Sequence, residues 1–115
     1  MLSIVIVNWN TREFLARCLE SIRAWPAFGE QETIVVDNAS ADGSAEMVRE
    51  RFPEARLIES PRNLGYAEGN NQGAGVARGE WLLLLNPDIE VREGSLDRLL
   101  EFGAAHPRAA AVGCR

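Results

Sequence analysis

Asn86-Pro87-Asp88 follows directly on the apolar run Trp81-Leu82-Leu83-Leu84-Leu85. An isolated carboxylate is thereby carried to the end of an expected strand, where it is free to hold a hard cation or meet a polar ligand. Five apolar residues without alternation predict a strand covered on both faces, as in a parallel sheet between helices. In such sheets ligands collect beyond the carboxyl ends of the strands, and Pro87 stops the strand there. Three more polar clusters stand in the same relation to an apolar run: Asn8-Trp9-Asn10, Asp37-Asn38 and Ser60-Pro61-Arg62-Asn63. With parallel strands, all four rim one edge. Their amides, carboxylates and one aromatic suit a ribose, a base with amide-like edges and a metal-bound diphosphate.

The elements that must position these groups alternate along the chain. Leu2 to Val7 reads as a strand, and Asn10 with Glu13 reads as the capping pair of a helix. That helix is expected to place Phe14, Leu15, Cys18, Leu19 and Ile22 on its inner face, with Pro26 just beyond its end. Thr33 to Val36 is a second strand, followed by the turn-rich loop from Asp37 to Ser44. A short helix then starts near Asp42 or Ser44 and runs to about Phe52, where Pro53 ends it. Arg56 to Ser60 reads as the third strand, and the segment Ala67 to Arg78 as a glycine-rich helix. Each interior glycine costs about 0.5 to 1 kcal/mol relative to alanine, so Gly69, Gly73 and Gly75 suggest close approach to a strand or a ligand. Leu96, Leu99, Leu100 and Gly103 mark the inner face of a last helix, and Ala109 to Val112 is read as the start of another strand. Strands joined by helical crossovers predict one right-handed, mostly parallel α/β sheet, a single unit over residues 1–115.

Composition narrows the function. A net charge of -5 and a pI near 4.9 argue against nucleic acid as a partner. All 12 basic residues are Arg, which excludes a Schiff-base or P-loop lysine within the chain. No apolar stretch approaches the roughly 20 residues of a membrane span, and the start has no basic leader of a secretory signal. Cys18 and Cys114 form neither a disulfide framework nor a metal spacing, as expected of thiols in the cytoplasm.

Four ordered motifs resemble the amino-terminal half of family-two glycosyltransferases, most nearly the subgroup of bacterial rhamnosyltransferases. They are Ser3 to Asn10, Val35 to Ser40 with Asp42-Gly43-Ser44, Asn63-Leu64-Gly65-Tyr66-Ala67 with Gly69-Asn70-Asn71, and Asn86-Pro87-Asp88. The resemblance implies a glycosyltransferase A fold: a Rossmann-like, mostly parallel sheet flanked by helices, here truncated. It implies a UDP- or dTDP-sugar donor, a divalent metal (Mg or Mn), inversion at the anomeric carbon, and a glycan or lipid-linked acceptor in surface-polysaccharide synthesis. Carried over by motif, Val7 flanks the base through its backbone, Trp9 stacks on it, and Asp37 accepts a hydrogen bond from base or ribose. Asn8 and Asn38 belong to the same nucleotide-binding edge. Asn63, Gly65 and Asn71 line the nucleotide and diphosphate, while Asp88 holds the metal and offsets the charge of the leaving diphosphate. Asn86 stands where the family often has a first acid, and a neutral amide is a poorer ligand for a hard cation.

The family's general base is an acid later in the chain, and nothing in these residues matches it. The chain therefore reads as the donor half, inefficient in transfer alone. The full enzyme would work at the inner face of the cell membrane as a peripheral protein, and an exposed sheet edge would be prone to pair with a second copy. One competing reading is a non-catalytic nucleotide-sugar-binding module. Another is a different doubly wound protein, but a Rossmann dehydrogenase lacks its G-x-G-x-x-G after the first strand here, and a receiver domain lacks its lysine.

Overall fold

The structure is a computed structural model that describes residues 1–108. Strand and helix alternate strictly: β1 (Leu2–Asn8), α1 (Arg12–Ala24), β2 (Gln31–Asp37), α2 (Ser44–Arg51), β3 (Arg56–Glu59), α3 (Tyr66–Val76), β4 (Trp81–Leu85) and α4 (Ser95–Ala105). The strand expected at Ala109 to Val112 lies outside the described residues. All pairings are parallel and the order is β3-β2-β1-β4. The chain winds outward from β1 to β3, then crosses back to the other side of β1. The reversal puts the topological switch point between β1 and β4, where open α/β sheets take their ligands.

Two apolar layers enclose the sheet. Ile4, Ile6 and Val35 meet Leu15, Cys18, Leu19 and Ile22 of α1 and Val48 of α2 on one face. Each such side chain, removed from water, contributes roughly 1.5 to 3 kcal/mol. Val5, Val7, Ile34 and Val36 face α3 on the other side. There the glycines explain themselves: a Cβ on Gly69 would lie 2.7 Å from a methyl of Val7, and one on Gly73 2.3 Å from a methyl of Val5. Gly75 has open space around its Cα, so it serves no such contact.

Three expectations are corrected. Among the described residues Trp81 to Leu85 is not covered on both faces; β4 is the sheet edge there, and Leu82 and Leu84 are 46% and 47% exposed. Their face adjoins Ser3 and Val5, but α3 packs over β1 and β2 and leaves it open. On the opposite face Leu83 and Leu85 join the core and the Trp81 ring meets Gly103 of α4. Phe14 is exposed rather than inward, and Ala16 takes its place on the buried side of α1. Finally, Asn10 is not the cap of α1. It adopts φ 52°, and Thr11 occupies the cap position without a capping bond.

The missing cap is supplied from the next loop. Asp42 Oδ2 accepts the Arg12 N–H at 2.9 Å, and its Oδ1 accepts the Ser44 N–H at 3.1 Å and the Ser44 hydroxyl at 2.5 Å. One carboxylate thus serves the first residues of both α1 and α2, and it favours the positive ends of both helices. Burial pushes the Asp42 carboxyl up, but the bonds from Ser44 and Arg12 outweigh it and hold the group below its ordinary range.

Two measurements check these contacts. Gly73→Ala is expected to lower unfolding free energy by about 1 to 3 kcal/mol through overpacking against Val5. Gly75→Ala should instead raise it by up to about 1 kcal/mol through helix propensity; denaturant midpoints read both. Asp42→Ala should cost about 0.5 to 2 kcal/mol at neutral pH. Because the folded carboxyl is depressed, its contribution is full above the unfolded value near 4 and fades as pH falls through the folded one. The gap between wild type and D42A in chemical denaturation should therefore close on acidification.

Candidate functional site at the carboxyl edge of the sheet

The four polar clusters lie at one end of four parallel strands, as their spacing predicts. At the centre Asn8 and Asp37 are paired residues of adjacent strands, both buried, with Asp37 only 3% exposed. Asn8 Nδ2 donates to Asp37 Oδ1 at 3.0 Å and to Ser40 Oγ at 3.3 Å. Ser40 in turn donates its hydroxyl to Asp37 Oδ1 at 2.7 Å and its N–H to Oδ2 at 3.1 Å. Thr11 donates to Asn8 Oδ1 at 2.6 Å, and the Asn10 N–H reaches Ser40 Oγ at 2.9 Å. Asn10 Oδ1 accepts the Ala41 N–H at 2.7 Å. The loops after β1 and β2 are therefore one hydrogen-bonded body, and a buried carboxylate is tolerated because donors surround it. Asn10 and Ala39 take positive φ of 52° and 59° inside this body, a conformation that side-chain-bearing residues adopt at a cost.

Val7 sits beneath this network, its side chain buried against α3. Its backbone is the informative part. Met1 O accepts from Trp81 N and Asn8 O from Asn38 N, so alternate residues of β1 face β4 and β2, and Val7 faces β4. The β1–β4 ladder ends at Ile6 and Leu85. Pro87, the next residue in position to donate to the Val7 carbonyl, has no N–H, so β4 leaves that oxygen unclaimed. Trp9, next in sequence, is 54% exposed and presents its indole at the same rim.

The β3–α3 connection closes another side. Asn38, 2% exposed, donates Nδ2 to the Gly65 carbonyl at 3.0 Å, and Asn63 Oδ1 accepts the Gly65 N–H at 2.9 Å. Gly65 holds φ 88° where the chain turns into α3. Asn38 Oδ1 and Asn70 Oδ1 are buried without a protein donor among the described residues. The structure buries Asn70 and leaves Asn71 exposed on α3.

Asn86 and Asp88 are exposed in the turn beyond β4, closed by the Ile89 N–H on Asn86 O at 3.1 Å. The following chain is pinned to α1 by the Val91 N–H on Ser21 Oγ at 2.8 Å. Asp88 takes part in no ion pair among the described residues. Its charge is felt by Cys18: burial first, then Asp88 and Glu90, push that thiol up to about 12. No group of three or more His, Cys, Asp or Glu stands together among the described residues. The donor set fits a Mg- or Mn-type ion that takes one carboxylate, with Asn86 alongside, and fills its other positions from phosphate and water.

Sequence reasoning found Asn8, Asp37, Asn38 and Asp88 at this edge and put Asp42 near the start of α2, but it assigned no role to Ser40 or Thr11 and did not foresee the bond from Arg12 to Asp42. The spacing Asp37-x-x-Ser40 was the signal for Ser40, an Asx-type turn that ties a loop to its own carboxylate.

Comparison with known proteins places this edge in context. The model of the family described as glycosyl transferase family 2 matches residues 3–115. An N-acetylglucosaminyl-diphospho-decaprenol L-rhamnosyltransferase of Mycobacterium tuberculosis is 31% identical over 124 residues, covering 98% of this chain and 40% of that protein. The succinoglycan biosynthesis protein ExoO of Rhizobium meliloti is 36% identical over 98 residues, covering 84% and 28%. The chain thus spans well under half the length of these relatives. Among solved structures, S. aureus TarS superimposes with a TM-score of 0.81 at 19% identity, covering 98% of this chain and 38% of that one. A Pyrobaculum calidifontis mannosyltransferase in complex with GDP-Man and Mn2+ gives 0.81 at 23% identity, covering 90% and 32%. The fold is that of a glycosyltransferase A domain, and the chain belongs to glycosyl transferase family 2.

Proposed function

We propose that this chain is the donor-binding part of an inverting glycosyltransferase that moves a sugar from a UDP- or dTDP-sugar to a glycan or lipid-linked acceptor in bacterial surface-polysaccharide synthesis. The observation that carries the reading is the bonded group of Asn8, Asp37 and Ser40 beside the switch point, flanked by exposed Trp9. The names of the relatives, a rhamnosyltransferase and a succinoglycan biosynthesis protein, support the sugar chemistry and the kind of acceptor.

In this reading Trp9 stacks on the base, the unclaimed Val7 carbonyl and Asp37 meet its polar edge, and Asn38, Asn63, Gly65 and the α3 asparagines border the nucleotide. Transfer forms a bond from the acceptor oxygen to the anomeric carbon and breaks the bond to the diphosphate. The acceptor proton passes to a base on the opposite face, a role for which none of these residues is a candidate. Negative charge grows on the departing nucleotide as its bond breaks. A divalent Mg or Mn ion bound at Asp88, with Asn86 beside it, would supply compensating charge there. For unit charges 4 Å apart at an effective dielectric of about 20, the attraction is on the order of 4 kcal/mol. Asp88 also carries negative charge of its own, so without a cation it would repel the diphosphate. No described helix is long and apolar enough to cross a membrane. A lipid-linked acceptor would then bring the protein to the inner membrane face from the cytoplasm.

Calorimetry with UDP and dTDP, with and without Mn, tests the reading on the chain itself. Wild type should bind either nucleotide at least about tenfold more tightly with Mn, and Asp88→Ala should erase that gain while keeping metal-free binding. A folded wild type that binds neither nucleotide would refute the proposal.

A further inference from the structure

The backbone alone fixes where Asp88 stands, since its carboxylate enters no ion pair among the described residues. The turn that carries it hangs between two fixed points. One is the end of β4, where the ladder to β1 stops at Leu85 and Ile6. The other is Val91, whose side chain is buried in the core with Leu15 and Cys18 and whose N–H donates to Ser21 Oγ at 2.8 Å. The remaining bonds of this stretch, from the Ile89 N–H to Asn86 O and between Arg92 and Ser95, tie it to itself and to the start of α4. Among the described residues, the bond from Val91 to Ser21 is therefore the one hydrogen bond that joins residues 86–94 to any preceding element. Ser21 is itself held, because its hydroxyl donates to the Cys18 carbonyl at 2.7 Å and so leaves lone pairs of Oγ for an outside donor. Such back-bonding is neutral to slightly unfavourable for a helix, so the contact with Val91 is what compensates for it. The same stretch of α1 feels the turn electrically: after burial, Asp88 and then Glu90 push the Cys18 thiol up.

We infer that Ser21 is a positioning residue for the metal ligand: by holding the Val91 N–H, its Oγ fixes the turn that presents Asp88 to a divalent cation. The inference rests on the proposed reading of Asp88 as that cation's ligand. Ser21 touches neither cation nor nucleotide and acts through the backbone between Val91 and Asp88. A Mg-type ion demands near-ideal geometry of its ligands, and apparent affinity falls with the fraction of molecules whose turn is in place. Without Ser21 Oγ the buried Val91 N–H loses its acceptor, and it regains one from water as the segment lifts away from α1. One neutral hydrogen bond shifts such an equilibrium by about fivefold. Trp9, Asp37 and Asn38 belong to other loops, so nucleotide binding without metal is independent of Ser21.

Calorimetry of UDP and dTDP with and without Mn, joined to hydrogen exchange at the Val91 amide, tests this on the chain with Ser21→Ala and Ser21→Thr. Alanine is the better helix former, so S21A keeps α1, and circular dichroism checks the fold. The Mn gain in nucleotide affinity, at least about tenfold in wild type, should fall by about fivefold in S21A while metal-free binding stays within about twofold. The Val91 amide should exchange about fivefold faster in S21A. Threonine keeps an Oγ able to bond the carbonyl one turn back, and S21T should retain both the Mn gain and the slow exchange. An S21A chain that keeps the full Mn gain, or that weakens metal-free binding equally, would overturn the role of Ser21 and leave the donor-site reading standing. A wild type that binds nucleotide but gains nothing from Mn would overturn the metal reading of Asp88 and this inference with it.

Discussion

A buried carboxylate is the constraint around which this structure is organised. Asp37 ends β2 with 3% of its surface exposed, where an unpaired charge would be expelled or neutralised. It stays because Asn8 from the neighbouring strand and Ser40 from its own loop bring three donors to it. Those bonds bind the β1 and β2 loops together, and the same loops start α1 and α2 through Asp42. The sheet edge, the two helix starts and the rim of the site are thus consequences of one polar cluster. Charge-assisted hydrogen bonds are the strong ones, which suits a small domain that must hold a site rigid.

The opposite wall depends on a different economy, the absence of side chains. Gly69 and Gly73 let α3 settle against Val7 and Val5 at a distance no Cβ would permit. That approach brings the α3 start beside Asn38, which then holds the Gly65 carbonyl at 3.0 Å. A helix rich in glycine is poor on propensity alone, so its stability is tertiary. Packing therefore sets the position of the α3 asparagines, Asn70 buried and Asn71 exposed.

Much of this was legible in the residues. Parallel order followed from alternating apolar runs and helical segments, and the shared edge from polar clusters placed after each run. Asn8, Asp37, Asn38 and Asp88 came out where strand ends required. What was not legible depended on neighbours distant in sequence. Trp81 to Leu85 reads as a buried strand, but position in the sheet order, not composition, decides coverage. Asn10 reads as a cap, yet Asp42 from another loop takes that work and frees Asn10 to reach Ala41. Phe14 satisfies helical periodicity and still points to solvent, because α1 has room for only one inward stripe.

The account stands or falls on whether the Asn8–Asp37–Ser40 cluster borders a bound nucleotide. A titration of the isotopically labelled chain with UDP and Mn, followed by amide and side-chain nitrogen resonances, reads this directly. The account predicts that the largest shifts fall on Trp9, Asn38, Ser40 and the Asn8 side-chain amide, with the Leu19 to Ile22 region unmoved. Shifts gathered at the other end of the sheet, or none at saturating UDP, would contradict it.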